Sequence, residues 1–243
     1  MHRSYSASKA LFGARLAATA LSLLLLAGAA SAQIKNLADG FQALPKNAKL
    51  VIMPPDIELF SISAGGVLEP KADWTESAAK NFKTALDVKR KSLGATTVEL
   101  SEKDADETAE VNTLHAAIAR SIALHHFGPS FLNLPTKNGK LDWSLGDTVR
   151  IVKEKTAADY ALFSWIRDSY ASSERAATMV VFALFGIGLP GGIQTGYASL
   201  VDLNTGQVVW FNRLIRSSGD LREREKAAET LNALLENFPG ARK

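Results

Sequence analysis

The sequence contains no cysteine among its 243 residues. The chain therefore forms no disulfide and offers no thiolate as a nucleophile or metal ligand. It also lacks the cysteine whose acylation anchors a bacterial lipoprotein, so we expect a protein that is not a lipoprotein.

Histidine is scarce: there are four, of which His2 lies at the amino terminus. The other three, His115, His125 and His126, fall on one predicted helix. His115 and His126 are eleven residues apart, about 16 Å at the rise of a helix, so one metal ion cannot bind both. Adjacent residues on a helix point in different directions. We predict no metal site and no cofactor, with one histidine partly buried and one at the rim of the core.

The sequence also lacks the arrangements that are typical of hydrolases. There is no G-x-S-x-G motif, and Ser169, Ser172 and Ser173 have no neighbouring general base in the sequence. The acidic run at 102–107 lacks the glycine and the terminal glutamate of a calcium loop, and we interpret it as a solvated helix start. We therefore predict no catalytic residues, although a triad can assemble from distant parts of a chain.

A G-x-G-x-x-G pattern is present at residues 186–191. In a dinucleotide-binding loop this pattern follows a strand and opens a helix, whose amino terminus receives the pyrophosphate. Here it leads through Gly192 into a predicted strand, and no acidic residue stands at the expected distance beyond it. The pattern therefore indicates a glycine-rich turn.

The amino-terminal residues 1–32 have the composition of a cleavable signal peptide. The basic residues that precede the apolar run are Arg3, Lys9 and Arg15. The run itself, Leu16–Ala30, has 15 residues, fewer than the roughly 20 that cross a bilayer. It ends in Ala30-Ser31-Ala32, a pattern that signal peptidase cleaves after the second alanine. We predict export to the periplasm with cleavage after Ala32, the alternative being a retained anchor.

The basic excess of the chain belongs to this leader. The chain has 28 Lys+Arg and 25 Asp+Glu, and three of the basic residues precede residue 33, so the mature chain carries 28 − 3 = 25 of each sign. A balanced chain has no electrostatic footprint for nucleic acid. The remaining 243 − 32 = 211 residues are enough for one domain with a real core.

Alternating apolar runs and helical spacings predict a layered α/β domain with a mixed sheet flanked by helices. Strands are predicted at 49–53, 59–62, 96–100, 160–166, 197–203 and 207–211. Helices are predicted at 74–93, 104–127, 144–156 and 221–238. The last two strands are joined by Asn204-Thr205-Gly206, which indicates a hairpin with a left-handed glycine. We assign 33–47 to a leader segment, 48–238 to the domain and 239–243 to a tail.

An uncharged apolar segment runs from Ala176 to Pro190. Apolar stretches of 10–14 residues usually lie in a core, so a buried helix or a loop folded over the sheet is one interpretation. The other is an exposed element that docks a partner or a membrane surface. The candidate interaction surface comprises Arg167, Asp168, Tyr170, Arg175, Met179, Phe182, Phe185 and Leu189.

The hairpin sequence 198–210, with Asp202, Thr205, Gly206 and Trp210, resembles the D-x-x-T-G-x-V-x-W hairpin of bacterial cell-envelope proteins related to CsgG, LpoB and the TolB amino-terminal domain. The strands at 51–55 and 158–162 and the closing helix are similar in their placement. The resemblance implies a mixed α/β sandwich that acts as a non-catalytic envelope adaptor, activator or assembly factor. Many of these relatives are lipoproteins, and this chain departs from them because it has no cysteine.

Two functions follow as expectations. The first is an exported, non-catalytic protein that acts by contact with an envelope protein through the 168–193 region. The second is a periplasmic hydrolase or small-ligand-binding protein, with Asp159, Asp168, Tyr170 and His126 as its polar groups. A pocket that gathers these four side chains would favour the second function, and their dispersal would count against it.

Overall fold

A computed structural model describes residues 35–241. The predicted signal peptide lies outside the described residues. Strands are β1 Lys49–Ile52, β2 Asp56–Ile62, β3 Leu68–Pro70, β4 Thr96–Val98, β5 Tyr160–Ala171, β6 Gln194–Asp202 and β7 Val208–Arg216. Helices are α1 Ala72–Lys89, α2 Glu102–Glu107, α3 Ala109–His125, α4 Arg150–Thr156, α5 Ser173–Ala183 and α6 Arg224–Leu234.

The seven strands form one sheet around β5. Along one edge of β5, β1 pairs in parallel with its first residues and β2 pairs in parallel with Trp165–Ala171. The break between β1 and β2 falls at Pro54-Pro55, because proline has no N–H for a strand ladder. On the other edge β6 pairs antiparallel with β5, and β7 pairs with β6. The predicted mixed α/β sheet is therefore confirmed.

Helices cover both faces of the sheet, as the alternation of side chains along β5 requires. Leu162 and Ile166 face α1 and α6, which contribute Phe82 and Leu231 to one core cluster. Ala161, Phe163 and Trp165 face the opposite way and belong to a second core cluster. The helices on that face contribute Val111, Ile122 and Val152 to the cluster. Two packed layers on one sheet agree with the predicted layered domain.

The elements differ from the predictions mainly at their ends. The helix predicted to reach residue 127 is divided at Thr108 into α2 and α3, and the closing helix ends at Leu234, so that Phe238 lies beyond it. The helix predicted at 144–156 starts as a 3₁₀ turn. The hairpin between β6 and β7 is confirmed, with Gly206 at a φ of 73°.

The segment before β1 packs against the sheet. Leu37 forms an antiparallel bridge with Trp210 at the outer edge of β7, and the Leu44 N–H donates to the Pro239 carbonyl oxygen at 2.8 Å. Ala38 and Leu44 are buried. These residues therefore share the core of the domain that follows them.

Candidate functional site

Helix α5 stands at the end of the sheet where β5 finishes and β6 begins. The Ser172 hydroxyl caps the helix by accepting from the Arg175 N–H at 3.1 Å, an interaction that fixes the helix start. The chain then returns through residues 184–193 to β6. No charged residue occurs between Arg175 and Asp202. The chain is therefore uncharged from the second turn of α5 to the penultimate residue of β6.

The second half of α5 and the turn after it carry a cluster of exposed apolar side chains, which we call the apolar tip. It consists of Val180, Val181, Phe182, Leu184, Phe185 and Ile187. Leu184 is 81% exposed and Phe185 is 76% exposed. The interpretation of this segment as core is therefore wrong, because no residue from Ala176 to Pro190 is buried.

Exposed apolar residues are concentrated at this end of the molecule. Thirteen large apolar side chains are exposed within residues 35–241, and only Val88, Leu124 and Phe131 lie elsewhere. The ten others are the six tip residues and four residues in or directly before strands β3, β6 and β7, namely Val67, Leu68, Ile193 and Ile215. Large exposed apolar patches on a folded domain mark interaction sites. Ile193 falls at the end of the predicted 168–193 region, but sequence reasoning missed Val67, Leu68 and Ile215, because none of them belongs to a long apolar run.

The eight residues predicted for the contact surface divide into several environments. Phe182 and Phe185 belong to the apolar tip, while Met179 and Leu189 are half-buried. A Cβ on Gly191 would lie 3.2 Å from the Met179 Cε, so Met179 packs against the returning loop. These four residues are therefore on or just beneath the tip.

Asp168 and Arg175 are buried and do not lie on the surface, which corrects their prediction as contact residues. The Arg175 guanidinium donates to the carbonyl oxygens of Ala64 and Pro190, at 3.3 and 3.5 Å. It thereby joins the turn after β2 to the loop after α5. The Arg175 guanidinium therefore makes intramolecular hydrogen bonds and is not presented to a partner.

Arg167 is occupied by neighbours on its own sheet. Its guanidinium donates to Asp56 at 2.7 Å, lies 3.1 Å from the Glu58 carboxylate, and stacks 4.6 Å above the Trp165 ring. An arginine held by two carboxylates and an aromatic ring is fixed in position. Arg167 therefore braces β5 against β2.

Asp168 is the centre of a buried polar network beneath the tip. Its Oδ2 accepts from the Tyr170 hydroxyl and, at 2.6 Å, from the Gln194 amide. The Gln194 carbonyl oxygen in turn accepts from Arg216 at 2.9 Å and from Thr230 at 3.0 Å. Burial raises the pKa of Asp168, and the hydrogen bonds from Tyr170 and Gln194 oppose that rise. The network ties β5, β6, β7 and α6 together.

The four groups considered for a hydrolase do not meet. Asp159 lies before the first residue of β5 and accepts from the Lys49 N–H at 2.9 Å. Asp168 lies nine residues further along the chain, within β5, about 30 Å away at the rise of a strand. His126 is at the end of α3, with its Nε2 at 2.8 Å from the Lys35 carbonyl oxygen. Only Asp168 and Tyr170 are in contact, so the expectation of one site formed by all four groups is wrong.

The histidines have separate structural surroundings. His115 is buried, its Nε2 lies 2.8 Å from the Ser199 hydroxyl, and its ring stacks on Phe163. Burial lowers the pKa of His115 to about 3. His126 is also buried, and burial lowers its pKa as well, whereas His125 is half-buried. Within residues 35–241 no group of three histidine or carboxylate side chains is placed to hold a metal ion.

The G-x-G-x-x-G segment forms the return from α5 to β6. It leads into a strand, and Gly186 adopts a φ of 76°. Without a helix behind it, the segment has no helix amino terminus to receive a phosphate. Among the helices of residues 35–241, none has both the length and the apolar character that crossing a bilayer requires.

Comparison with protein-family models and with curated protein sequences gives no match. Among solved structures, the chain is similar to the PelC dodecamer of Paraburkholderia phytofirmans, with 14% identity, coverage of 82% of this chain and 93% of that one, and a TM-score of 0.36. The LpoB carboxy-terminal domain of Salmonella enterica shows 14% identity over 74% of this chain and 88% of that one, with a TM-score of 0.31. Lipoprotein GNA1162 of Neisseria meningitidis shows 13% identity over 78% and 94%, also with a TM-score of 0.31.

Proposed function

We propose that the protein is a non-catalytic adaptor of the cell envelope, attached to a lipid surface by its apolar tip and acting by contact with an envelope protein. The observation that carries the attachment is the exposed, uncharged cluster at the end of α5. The envelope location comes from the export signal, and the protein-contact role comes from the resemblance of the β6–β7 hairpin to CsgG- and LpoB-related proteins.

The distribution of the exposed side chains around α5 favours a lipid surface over a protein groove. Successive helical residues are rotated by about 100°, so Val180, Val181 and Phe182 point in three different directions. These three residues cover more than half of the helix circumference, and Leu184 and Phe185 are exposed in the turn that follows α5. A groove covers one stripe of a helix, whereas apolar side chains exposed over more than half of it need an apolar environment on several sides. The interfacial part of a bilayer supplies such an environment.

The energy available is sufficient for reversible attachment. Burying a valine, leucine or phenylalanine side chain contributes on the order of 1.5–3 kcal/mol relative to full exposure. Phe182 is 40% exposed and Val181 is 52% exposed, so each tip residue contributes only part of that amount. The summed binding free energy of the six residues still exceeds that of a single myristoyl chain, which by itself gives marginal and reversible membrane binding.

The test uses the mature protein and vesicles of neutral phospholipid. We expect the protein to float with the vesicles, and the double variant Leu184→Asp with Phe185→Asp to lose about tenfold or more in affinity, because carboxylates resist transfer into an apolar phase. Phe131→Asp is the matched control, since Phe131 is 82% exposed and far from the tip in the sequence. It should float like the unmodified protein.

A second measurement separates lipid from protein as the occupant of the tip. A photo-crosslinking residue at position 185 in intact cells should label lipid. A protein adduct at that position, with no flotation in vitro, would assign the tip to a protein partner and overturn the lipid attachment. If flotation is unaffected by the charged double variant, the tip has no docking role.

A further inference from the structure

Four aromatic rings form a continuous stack on the face of the sheet that α3 covers. The rings of Trp165, Tyr197, Phe211 and Phe127 follow one another with centroids 5.0, 5.8 and 5.5 Å apart. Strands β5, β6 and β7 supply the first three rings, and the chain just after α3 supplies the fourth. We call this stack the aromatic ladder. Because closely packed rings have fixed positions, the ladder also fixes the side chains that lie over it.

Four cationic side chains lie over the two ends of the aromatic ladder. The Cζ atoms of Arg167 and Arg120 are 4.6 and 5.9 Å from the centre of its first ring. The Cζ of Arg213 and the Nζ of Lys35 are 5.4 and 5.2 Å from the centre of its last ring. A guanidinium that stacks on a ring keeps the N–H groups along its edge free to donate to an acceptor.

One of these four cations has a carboxylate partner, and the other three do not. Arg167 pairs with Asp56 and Glu58. The other three are exposed, and none of them forms an ion pair among residues 35–241. We call these three the cationic row, which consists of Lys35, Arg120 and Arg213. Its positive charge is therefore not compensated by the described part of the chain.

Two members of the cationic row act on one hydroxyl group. Tyr197 pairs across the sheet with Arg213, and its ring stacks on Trp165, over which Arg120 lies. Burial raises the pKa of Tyr197, and the positive charges of Arg213 and Arg120 oppose that rise. The two guanidinium groups come from β7 and α3 and carry like charges. An anion placed between them relieves a repulsion that the fold alone leaves in place.

We infer that the cationic row is the contact surface for an acidic segment of a protein partner. Carboxylates bind the edge of a guanidinium through paired, charge-assisted hydrogen bonds. Arginines that are already fixed on aromatic rings lose little side-chain entropy when such a segment binds. Arginine, tryptophan and tyrosine are also the residues that most often dominate protein interfaces. The inference rests on the proposed protein contact, for which it names the surface and the charge of the partner.

The position of the row favours a protein segment over the headgroups of a lipid surface. Arg213 pairs with Tyr197, which lies four residues beyond Ile193 at the end of the loop that returns from α5. Four residues span about 13 Å at the rise of a strand. Exposed charges interact over only about 8 Å at physiological ionic strength. Attachment through the tip therefore leaves the row in water, where a protein can reach it.

The test measures the binding of a fluorescently labelled hexaglutamate peptide to the mature protein by anisotropy, with hexaglutamine as the uncharged control peptide. We expect hexaglutamate alone to bind. The double variant Arg120→Gln with Arg213→Gln should weaken that binding by about tenfold, the value typical for loss of a hydrogen bond to a charged group. Lys80→Gln with Lys83→Gln is the matched control, because it removes two exposed charges from α1, on the opposite face of the sheet. It should bind normally.

Three results would overturn the inference. The first is the absence of hexaglutamate binding. The second is an equal loss in the two double variants, which would assign the binding to net charge. The third is a loss of flotation with phosphatidylglycerol vesicles in the arginine double variant without any loss of peptide binding, which would assign the row to lipid headgroups.

The cationic row and the apolar tip are tested independently. Peptide binding is measured without lipid, and flotation with neutral vesicles is measured without peptide. The arginine double variant should float with neutral vesicles like the unmodified protein, so failure of the inference and failure of the lipid attachment are distinguishable. Far-ultraviolet circular dichroism of each variant establishes that loss of binding is not loss of fold.

Discussion

His115 is a basic side chain that the native fold keeps uncharged. It is 2% exposed and contacts the Ser199 hydroxyl and the Phe163 ring. Because desolvation penalises the imidazolium, burial lowers its pKa to about 3. The unfolded chain has no such penalty, and its histidines titrate near 6.5.

We predict that the protein loses stability in acid through this residue. Between about pH 6.5 and pH 3 the imidazole of His115 is protonated in the unfolded state but not in the native state. The free energy of unfolding therefore falls as the pH falls. The loss approaches about 1.4 kcal/mol per pH unit within that window, and the stability is complete above it. Urea unfolding from about pH 7 to about pH 4 measures the slope.

His115→Gln keeps a side chain that can bond to Ser199 and removes the titration. It should give a flatter dependence on pH, whatever its stability at neutral pH. His125→Gln is the matched control and should retain the steep loss in acid. An identical slope in the unmodified protein and in His115→Gln would contradict the assignment.

Single residues were only partly predictable from the sequence. The spacing of His115 and His126 excludes a shared metal ion, and the separation of their environments agrees with it. Nothing in the sequence pairs His115 with Ser199, since the two are 84 residues apart. Asp168 and Arg175 were predicted as contact residues because they precede the uncharged apolar segment in the sequence. Their hydrogen-bond partners come from other elements and leave no local signal.

At the scale of an element, the sequence also left the position of helix α5 undecided. An uncharged apolar run has one composition whether it is buried or exposed, and only its position at the end of the sheet decides between the two. The hairpin of β6 and β7 was predictable because its turn chemistry is local. The tandem placement of β1 and β2 along β5 was not, because parallel pairing depends on residues far away in the chain.

We predict that Gly192 is indispensable to the return from α5 into β6. A Cβ there would lie 2.0 Å from the Ser169 carbonyl oxygen, and the residue has a φ of 159°. Gly192→Ala must therefore push the loop away from β5, where Ile193 bonds to the Ser169 hydroxyl at 3.0 Å. We expect a loss of about 2 kcal/mol in the free energy of unfolding, measured with urea.

Gly188 is the matched position in the same loop. A Cβ at Gly188 meets nothing within 4 Å. Gly188→Ala should leave stability unchanged or raise it by about 0.4–1 kcal/mol, since alanine restricts the unfolded chain. Equal losses in the two variants would show that the loop tolerates no side chain anywhere, and the specific contact with Ser169 would not be the cause.

At the scale of the whole molecule, the segment before β1 is bound to two distant parts of the fold. It pairs with the outer edge of β7 through Leu37 and with the carboxy-terminal loop through Leu44. Its mixed composition predicted a leader segment at 33–47. Irregular segments that pack by single anchoring residues have no periodic signal.

We predict that removing residues 33–44 destabilises the entire domain. Leu44 is 3% exposed, and loss of one buried leucine already costs about 3 kcal/mol or more. A single urea transition at lower midpoint is expected, because the segment belongs to the common core. Gln42→Ala, at an exposed position of the same segment, should leave the midpoint in place. An unchanged midpoint after the truncation would show that the segment packs without stabilising the fold.

The pairing of β5 with β1 and β2 also determines the order in which the chain can fold during synthesis. Leu50 pairs with Tyr160, so β1 cannot pair with β5 until the ribosome has added a further 110 residues. At roughly 5–20 residues per second this delay lasts about 5–20 s. Throughout that time β1 and β2 present unpaired backbone edges to the surroundings. Unpaired strand edges can pair with other chains, so we expect the newborn chain to be most prone to aggregation before the central strand is complete.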